Sequence, residues 1–146
     1  MTSPQDCQNF IEEAVNLFGR IDLLFLNAGI GAHSMFRDVK DTSVIKKVME
    51  TNFMGYAYLT KYALPYMSEE SFQKPQIGVM SSVSGEMGLP LRSVYCASKF
   101  AVTGFFEALR IEEQGIDFTI ISPSSISTSF RDNSLKSSES SVDIEQ

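Results

Sequence analysis

Ile77-Gly78-Val79-Met80-Ser81-Ser82, followed across a Gly85, Gly88 and Pro90 loop by Ser93-Val94-Tyr95-Cys96-Ala97-Ser98-Lys99, is the stretch whose reading decides the fold. The first part is a short, nearly all-apolar run bounded by turn residues, the composition of a strand buried in a parallel sheet. The second part opens a helix running from near Ser93 to about Glu113. Tyr95, Lys99, Val102, Phe106 and Leu109 recur in it at the four-three-four-three spacing of an amphipathic stripe. Ser82 is thereby placed at the C-terminal end of a strand, the edge at which open α/β sheets bind ligands.

The same stretch carries chemistry. Tyr95 and Lys99 are four residues apart and share one helix face, about 6 Å apart along the axis. A unit charge ~5 Å from a phenol, at an effective dielectric of ~20, is worth roughly 3 kcal/mol. The expectation is that Lys99 lowers the Tyr95 pKa by about two units, which makes it a proton donor and acceptor near neutrality. A lysine on the buried side of a helix is costly unless paired or hydrogen-bonded, so its place in the stripe favours function over decoration.

Working outward, residues 4–19 read as a helix, with Pro4 at its start, Phe10, Ile11, Ala14, Val15 and Phe18 as its apolar positions and Gly19 as its stop. Ile21-Asp22-Leu23-Leu24-Phe25-Leu26-Asn27 reads as a strand buried on both faces, ending at Ala28-Gly29. A loop with Gly31 and the lone His33 follows, and His33 is read as a loop residue. Asp41, Thr42 and Ser43 offer caps to a long helix whose stripe runs Ile45, Val48/Met49, Asn52, Tyr56, Leu59 and Ala63 until Pro65. Asn52 inside that stripe, with Gly55 close by, predicts a local distortion or close packing. Residues 69–75 form a polar linker, and Asp117-Phe118-Thr119-Ile120-Ile121-Ser122 is a third strand, stopped by Pro123. Three strands alternating with long helices predict a parallel, doubly wound α/β sheet. Residues 1–131 form that domain. Residues 132–146 are Ser-rich, charged and aperiodic, and are expected to be disordered.

The 146 residues carry a net charge of -6 without a Lys/Arg cluster, which argues against nucleic acid or an anionic membrane surface as partner. Cys7, Cys96 and His33 have no metal-ligand spacing, so no metal is expected and a reducing compartment fits. No run approaches the length of a membrane span, and the polar start is not a signal peptide.

Together these motifs resemble the short-chain dehydrogenase/reductase family, up to about Arg131. Asn27-Ala28-Gly29 is similar to the family's Asn-Asn-Ala-Gly turn, with Leu26 in place of the first Asn; it lines the cofactor cleft there. Asn52 matches the helix asparagine that holds a water in the proton relay. Ser82, in Met-Ser-Ser-Val-Ser-Gly, matches the serine that hydrogen-bonds the substrate oxygen; Tyr95 matches the acid/base. Lys99 matches the residue that tunes Tyr95 and binds the nicotinamide ribose. Pro123 to Thr128 resembles the Pro-Gly-x-x-x-Thr segment whose threonine meets the nicotinamide amide, with Ser124 for the usual Gly. The resemblance implies NADP or NAD as cofactor, NADP being favoured. It implies a small carbonyl or alcohol substrate, lipophilic in character, and a homo-oligomer packed through the helices at 41–67 and 93–114. Ala97, Ala101, Gly104 and Ala108 form a small-residue stripe that fits either such packing or contact with the sheet.

The family's opening strand and Thr-Gly-x-x-x-Gly-x-Gly turn, which cradles pyrophosphate at a helix N-terminus, have no counterpart in residues 1–146. The chain therefore reads as a central fragment, located in the cytoplasm or at a membrane through a segment outside it, and inactive alone. Two alternatives are a non-catalytic binding or regulatory product of truncation, and a sugar-nucleotide epimerase or dehydratase using the same Ser/Tyr/Lys set.

Overall fold

In the computed structural model, residues 2–67, 74–126, 130, 134 and 135 are described. Three parallel strands, β1 (Leu23–Leu26), β2 (Gln76–Met80) and β3 (Asp117–Ile121), lie in the order β1-β2-β3. In register, Leu24 stands beside Ile77 and Leu26 beside Val79, and these in turn beside Phe118 and Ile120. Helix α1 (Pro4–Phe18) precedes β1. Helices α2 (Ser43–Met49) and α3 (Gly55–Ala63), joined by a turn of π-helix at Glu50–Met54, connect β1 to β2, and α4 (Ser93–Glu112) connects β2 to β3.

The helix limits have local causes. Ser3 accepts from the Asp6 N–H at the start of α1, and Gly19, at φ 80°, closes it in the left-handed region that glycine takes without strain. Asp41 accepts from the N–H and the hydroxyl of Ser43, which ties down the start of α2. The distortion expected around Asn52 is the π-helical turn.

Both crossovers step in the same direction along the sheet, and right-handed crossovers then put their helices on the same face. One core follows: Cys7 and Ile11 from α1, Tyr56, Leu59 and Ala63 from α3, and Val102, Phe106 and Leu109 from α4 close over Leu24, Leu26, Ile77 and Val79. The other face is bare in the described residues. There Leu23 is 60 % exposed, Phe25 51 % and Ile121 36 %. The Ile21–Asn27 run was expected to be buried on both faces, and this is corrected: Leu24 and Leu26 are buried, and Leu23 and Phe25, which alternate with them, are open. The winding on the second face is the part of the pattern that these three strands do not include.

The stripe of small residues on α4 points away from the sheet, with Ala97, Gly104 and Ala108 exposed. Of the Ser-rich tail, Ser134 and Leu135 are described. Leu135 forms a parallel bridge with Ala32, its N–H donating to the Gly31 carbonyl at 2.9 Å. The other residues of 132–146, and most of the 69–75 linker, lie outside the described residues. Among the described residues no helix is long and apolar enough to cross a membrane.

Candidate active site

The C-terminal ends of β1, β2 and β3 open onto a cleft of about 840 Å³. Asn27, Ala28 and Gly29 line it from the loop after β1, Ser82 from the turn after β2, Tyr95 and Lys99 from α4, and Pro123 from the end of β3. Residues scattered over the sequence thus meet at one sheet edge. Thr128 lies outside the described residues.

Ser82 caps a short 3-10 turn, Val83–Gly85, its hydroxyl accepting from the Ser84 N–H. That turn sits hard against α4 because Gly85 has no side chain. A Cβ there would lie 2.8 Å from the Lys99 carbonyl oxygen, 2.7 Å from Ser81 Oγ and 2.8 Å from Thr103 Oγ1. Close approach at Gly85 is what sets the serine opposite the tyrosine.

The four-three-four-three stripe is the buried face of α4: Tyr95 is 8 % exposed, Lys99 3 %, Val102 and Phe106 0 %. Among the described residues Lys99 has no carboxylate partner. Its Nζ donates to the Met80 carbonyl at 2.7 Å and lies 5.7 Å and 5.8 Å from the ring centroids of Tyr56 and Tyr95. Two aromatic faces and one carbonyl partly replace the water that the ammonium has lost. Burial nevertheless pulls its pKa from 10.5 to about 8.

The Tyr95 phenol departs from expectation. Its pKa is raised, chiefly by burial, against smaller lowering effects from the Ser82 hydrogen bond and the Arg92 charge. Lys99 does not produce the expected drop, since its ammonium is directed to the Met80 carbonyl and desolvation of the phenol wins. The phenol is therefore protonated at neutral pH.

Asn52 lies beneath the cleft, fully buried. Its Oδ1 accepts from the Ile30 N–H at 2.8 Å, and its Nδ2 donates to the Ile30 carbonyl and to Ser98 Oγ, both at 3.0 Å. Ser98 in turn donates to the Tyr95 carbonyl at 2.7 Å. A single amide thus fastens the loop carrying Asn27–Gly29 to the helix carrying Tyr95. Gly29 passes close above, where a Cβ would come within 3.4 Å of Asn52 Oδ1 and 3.9 Å of Lys99 Nζ.

His33, Arg92 and Phe130 also line the cleft. Phe130 packs its ring against Tyr95, with centroids 6.0 Å apart. The sequence reading did not single out Arg92, Ser98 or Tyr56. Ser98 could have been found from its place three residues after Tyr95, and Tyr56 from its place four after Asn52 on the same stripe.

Residues 1–139 match the family model described as short chain dehydrogenase. An "11-beta-hydroxysteroid dehydrogenase A" of Arachis hypogaea is 37 % identical over 100 % of this chain and 41 % of its own length. An "11-beta-hydroxysteroid dehydrogenase" of Pinus massoniana is 42 % identical over 82 % of this chain and 33 % of its own length. A solved short chain dehydrogenase/reductase of Burkholderia phymatum, in complex with NAD, superimposes with a TM-score of 0.83 at 26 % identity, over 90 % of this chain and 48 % of that one. The chain thus spans less than half the length of these curated relatives. Within that span the family model matches nearly the whole sequence and the order of elements is that of the solved relative: the chain belongs to the short-chain dehydrogenases.

Proposed function

We propose that this chain carries the proton-transfer half of an NAD(P)-dependent oxidoreductase that interconverts a carbonyl and a secondary alcohol. The observation that carries the reading is the meeting of Ser82, Tyr95 and Lys99 on one cleft, above the Asn52 clamp. Asn27, Ala28, Gly29 and Pro123, with Tyr95 and Lys99, are suited to hold the nicotinamide end of NADP or NAD, because backbone and small side chains leave room there. Thr128 is assigned to the nicotinamide amide. When bound, the cofactor supplies or accepts the hydride.

The protein's own groups manage the proton. In reduction, Ser82 Oγ donates a hydrogen bond to the substrate carbonyl oxygen, polarising it, and Tyr95 Oη passes its proton to that oxygen. The raised pKa keeps the phenol loaded for that direction. Lys99, buried and poised at about 8, stabilises the phenolate and can return a proton to it. Asn52 holds the loop and helix in register and supports the water of the relay. The relatives' names favour a hydroxysteroid or a similar lipophilic carbonyl compound as substrate. A homo-oligomer through α2–α3 and α4 is consistent with the exposed small-residue stripe.

Residues 1–146 alone are proposed to be inactive, because no glycine-rich turn is present to offset the pyrophosphate charge. Calorimetric titration with NADPH and NADH tests this; saturable micromolar binding would contradict it. The chemistry is tested in a chimera with the N-terminal part of the Arachis hypogaea relative placed before residue 1. Tyr95→Phe should keep cofactor affinity while turnover falls by about 10²–10⁴. Retained turnover would remove the assignment. A rival reading, a non-catalytic binding product, is supported if the chimera turns over no carbonyl compound.

A further inference from the structure

Among the described residues, the charged side chains lining the cleft are Lys99 and Arg92, with His33 beside them, and no described Asp or Glu lines it, in a chain with 18 acidic residues and a net charge of -6. A cleft of one sign within a protein of the other concentrates ligands of the protein's own sign. The two cations are differently placed. Lys99 is buried, bonded to the Met80 carbonyl and flanked by two aromatic rings. Arg92 is only partly buried, and among the described residues its guanidinium has no hydrogen-bond or ion-pair partner.

Its placement is fixed by the turn before α4. Leu91 takes φ 63°, a left-handed conformation costly for leucine, and its carbonyl accepts from the Ser34 N–H at 2.9 Å. Arg92 follows as the residue before the helix, three positions ahead of Tyr95 and so about one turn from it. It is near enough to the phenol for its charge to act on it. Met80, Ile126 and Phe130 supply apolar surface to the same cleft.

We infer that Arg92 is a specificity-determining residue, and that the substrate taken here is a carbonyl compound with an apolar body and a carboxylate near the reacting group. This rests on the reading of the cleft as a carbonyl site and deepens it. The guanidinium presents a planar fork of donors that matches a carboxylate bidentately, and a partly desolvated cleft strengthens that pairing. The carboxylate engages Arg92 while the carbonyl oxygen lies between Ser82 and Tyr95.

The test uses the 146-residue chain with two ligands that differ in charge, 4-oxo-4-phenylbutanoate and its methyl ester, titrated at fixed ionic strength. The wild-type chain should bind the carboxylate at least about tenfold more tightly than the ester, the effect of one charge-assisted pair. Arg92→Gln should abolish that preference and leave ester affinity unchanged, and Arg92→Lys should restore part of it. Equal affinities in the wild type, no binding of either ligand, or a preference that survives Arg92→Gln overturns the inference. The chimera separates the two readings. Reduction of acid and ester with equal kcat/KM keeps the carbonyl chemistry and removes Arg92; a binding preference without reduction keeps Arg92 and removes the chemistry.

Discussion

The two exposed sides of this sheet are built on opposite terms. At the C-terminal edge, buried polar groups are tied to one another: Asn52 to Ile30 and Ser98, Ser98 to Tyr95, and Lys99 to Met80. On the face opposite the helices, apolar side chains such as Leu23 and Phe25 stand open. The proposed proton-transfer site is thus held from within by residues of this chain, whereas the sheet is finished on only one side. A site can be organised where its sheet is not.

The strongest way to break that comparison is at Asn52. Asn52→Ala removes three hydrogen bonds and strands the Ile30 N–H in a partly buried setting, so the expected loss is about 3 kcal/mol of stability. Urea unfolding measures it. If the loss is below about 1 kcal/mol, the clamp does not hold the edge together.

Lys99 tests whether the site is organised at a cost. Its folded pKa, about 8, lies below the unfolded value near 10.5. Between these values the unfolded chain holds a proton that the folded chain has lost, so stability rises with pH through that window. Below it the full cost of burying the charge remains. Lys99→Met should therefore be more stable than the wild type at pH 7, by up to about 3 kcal/mol, with the advantage gone by about pH 10.5. In the chimera the same variant should lose both cofactor affinity and rate. A pH-independent difference in stability would show that the ammonium is not buried as described.

Much of this was legible in the sequence because it depended on local periodicity. The spacing of Tyr95, Lys99, Val102, Phe106 and Leu109 gave the buried face of α4, and Ser82 fell at a strand end because an apolar run stops there. The amide of Asn52 in an apolar stripe marked the π-helical turn. What failed depended on surroundings. An apolar run such as Ile21–Asn27 records that both faces can be buried, not which neighbours cover them. The lowered pKa expected of Tyr95 rested on its distance to Lys99, whereas desolvation, which acts in the opposite direction, is the largest influence on the phenol. Arg92 was invisible because its direction follows from the left-handed turn at Leu91, and a leucine gives no signal for that conformation.

The smallest effect sharpens the other side of the comparison. Phe25 lies on the bare face of β1, across from Gly78, and its ring fills the space that a Cβ at Gly78 would occupy. With 51 % of its surface exposed, it buries only part of what a core phenylalanine buries. β1 is also an edge strand, so its free backbone groups and apolar face together offer a template for association. Phe25→Thr keeps a residue suited to a strand and removes the exposed ring. The fold should lose no more than about 1 kcal/mol, the worth of a half-buried cross-strand contact, while association falls. Urea midpoints and sedimentation of the two chains at equal concentration measure the two quantities separately. A loss above about 3 kcal/mol, the range of a truncated core aromatic, would mean that the face is covered in solution. Unchanged association would place the adhesive surface elsewhere.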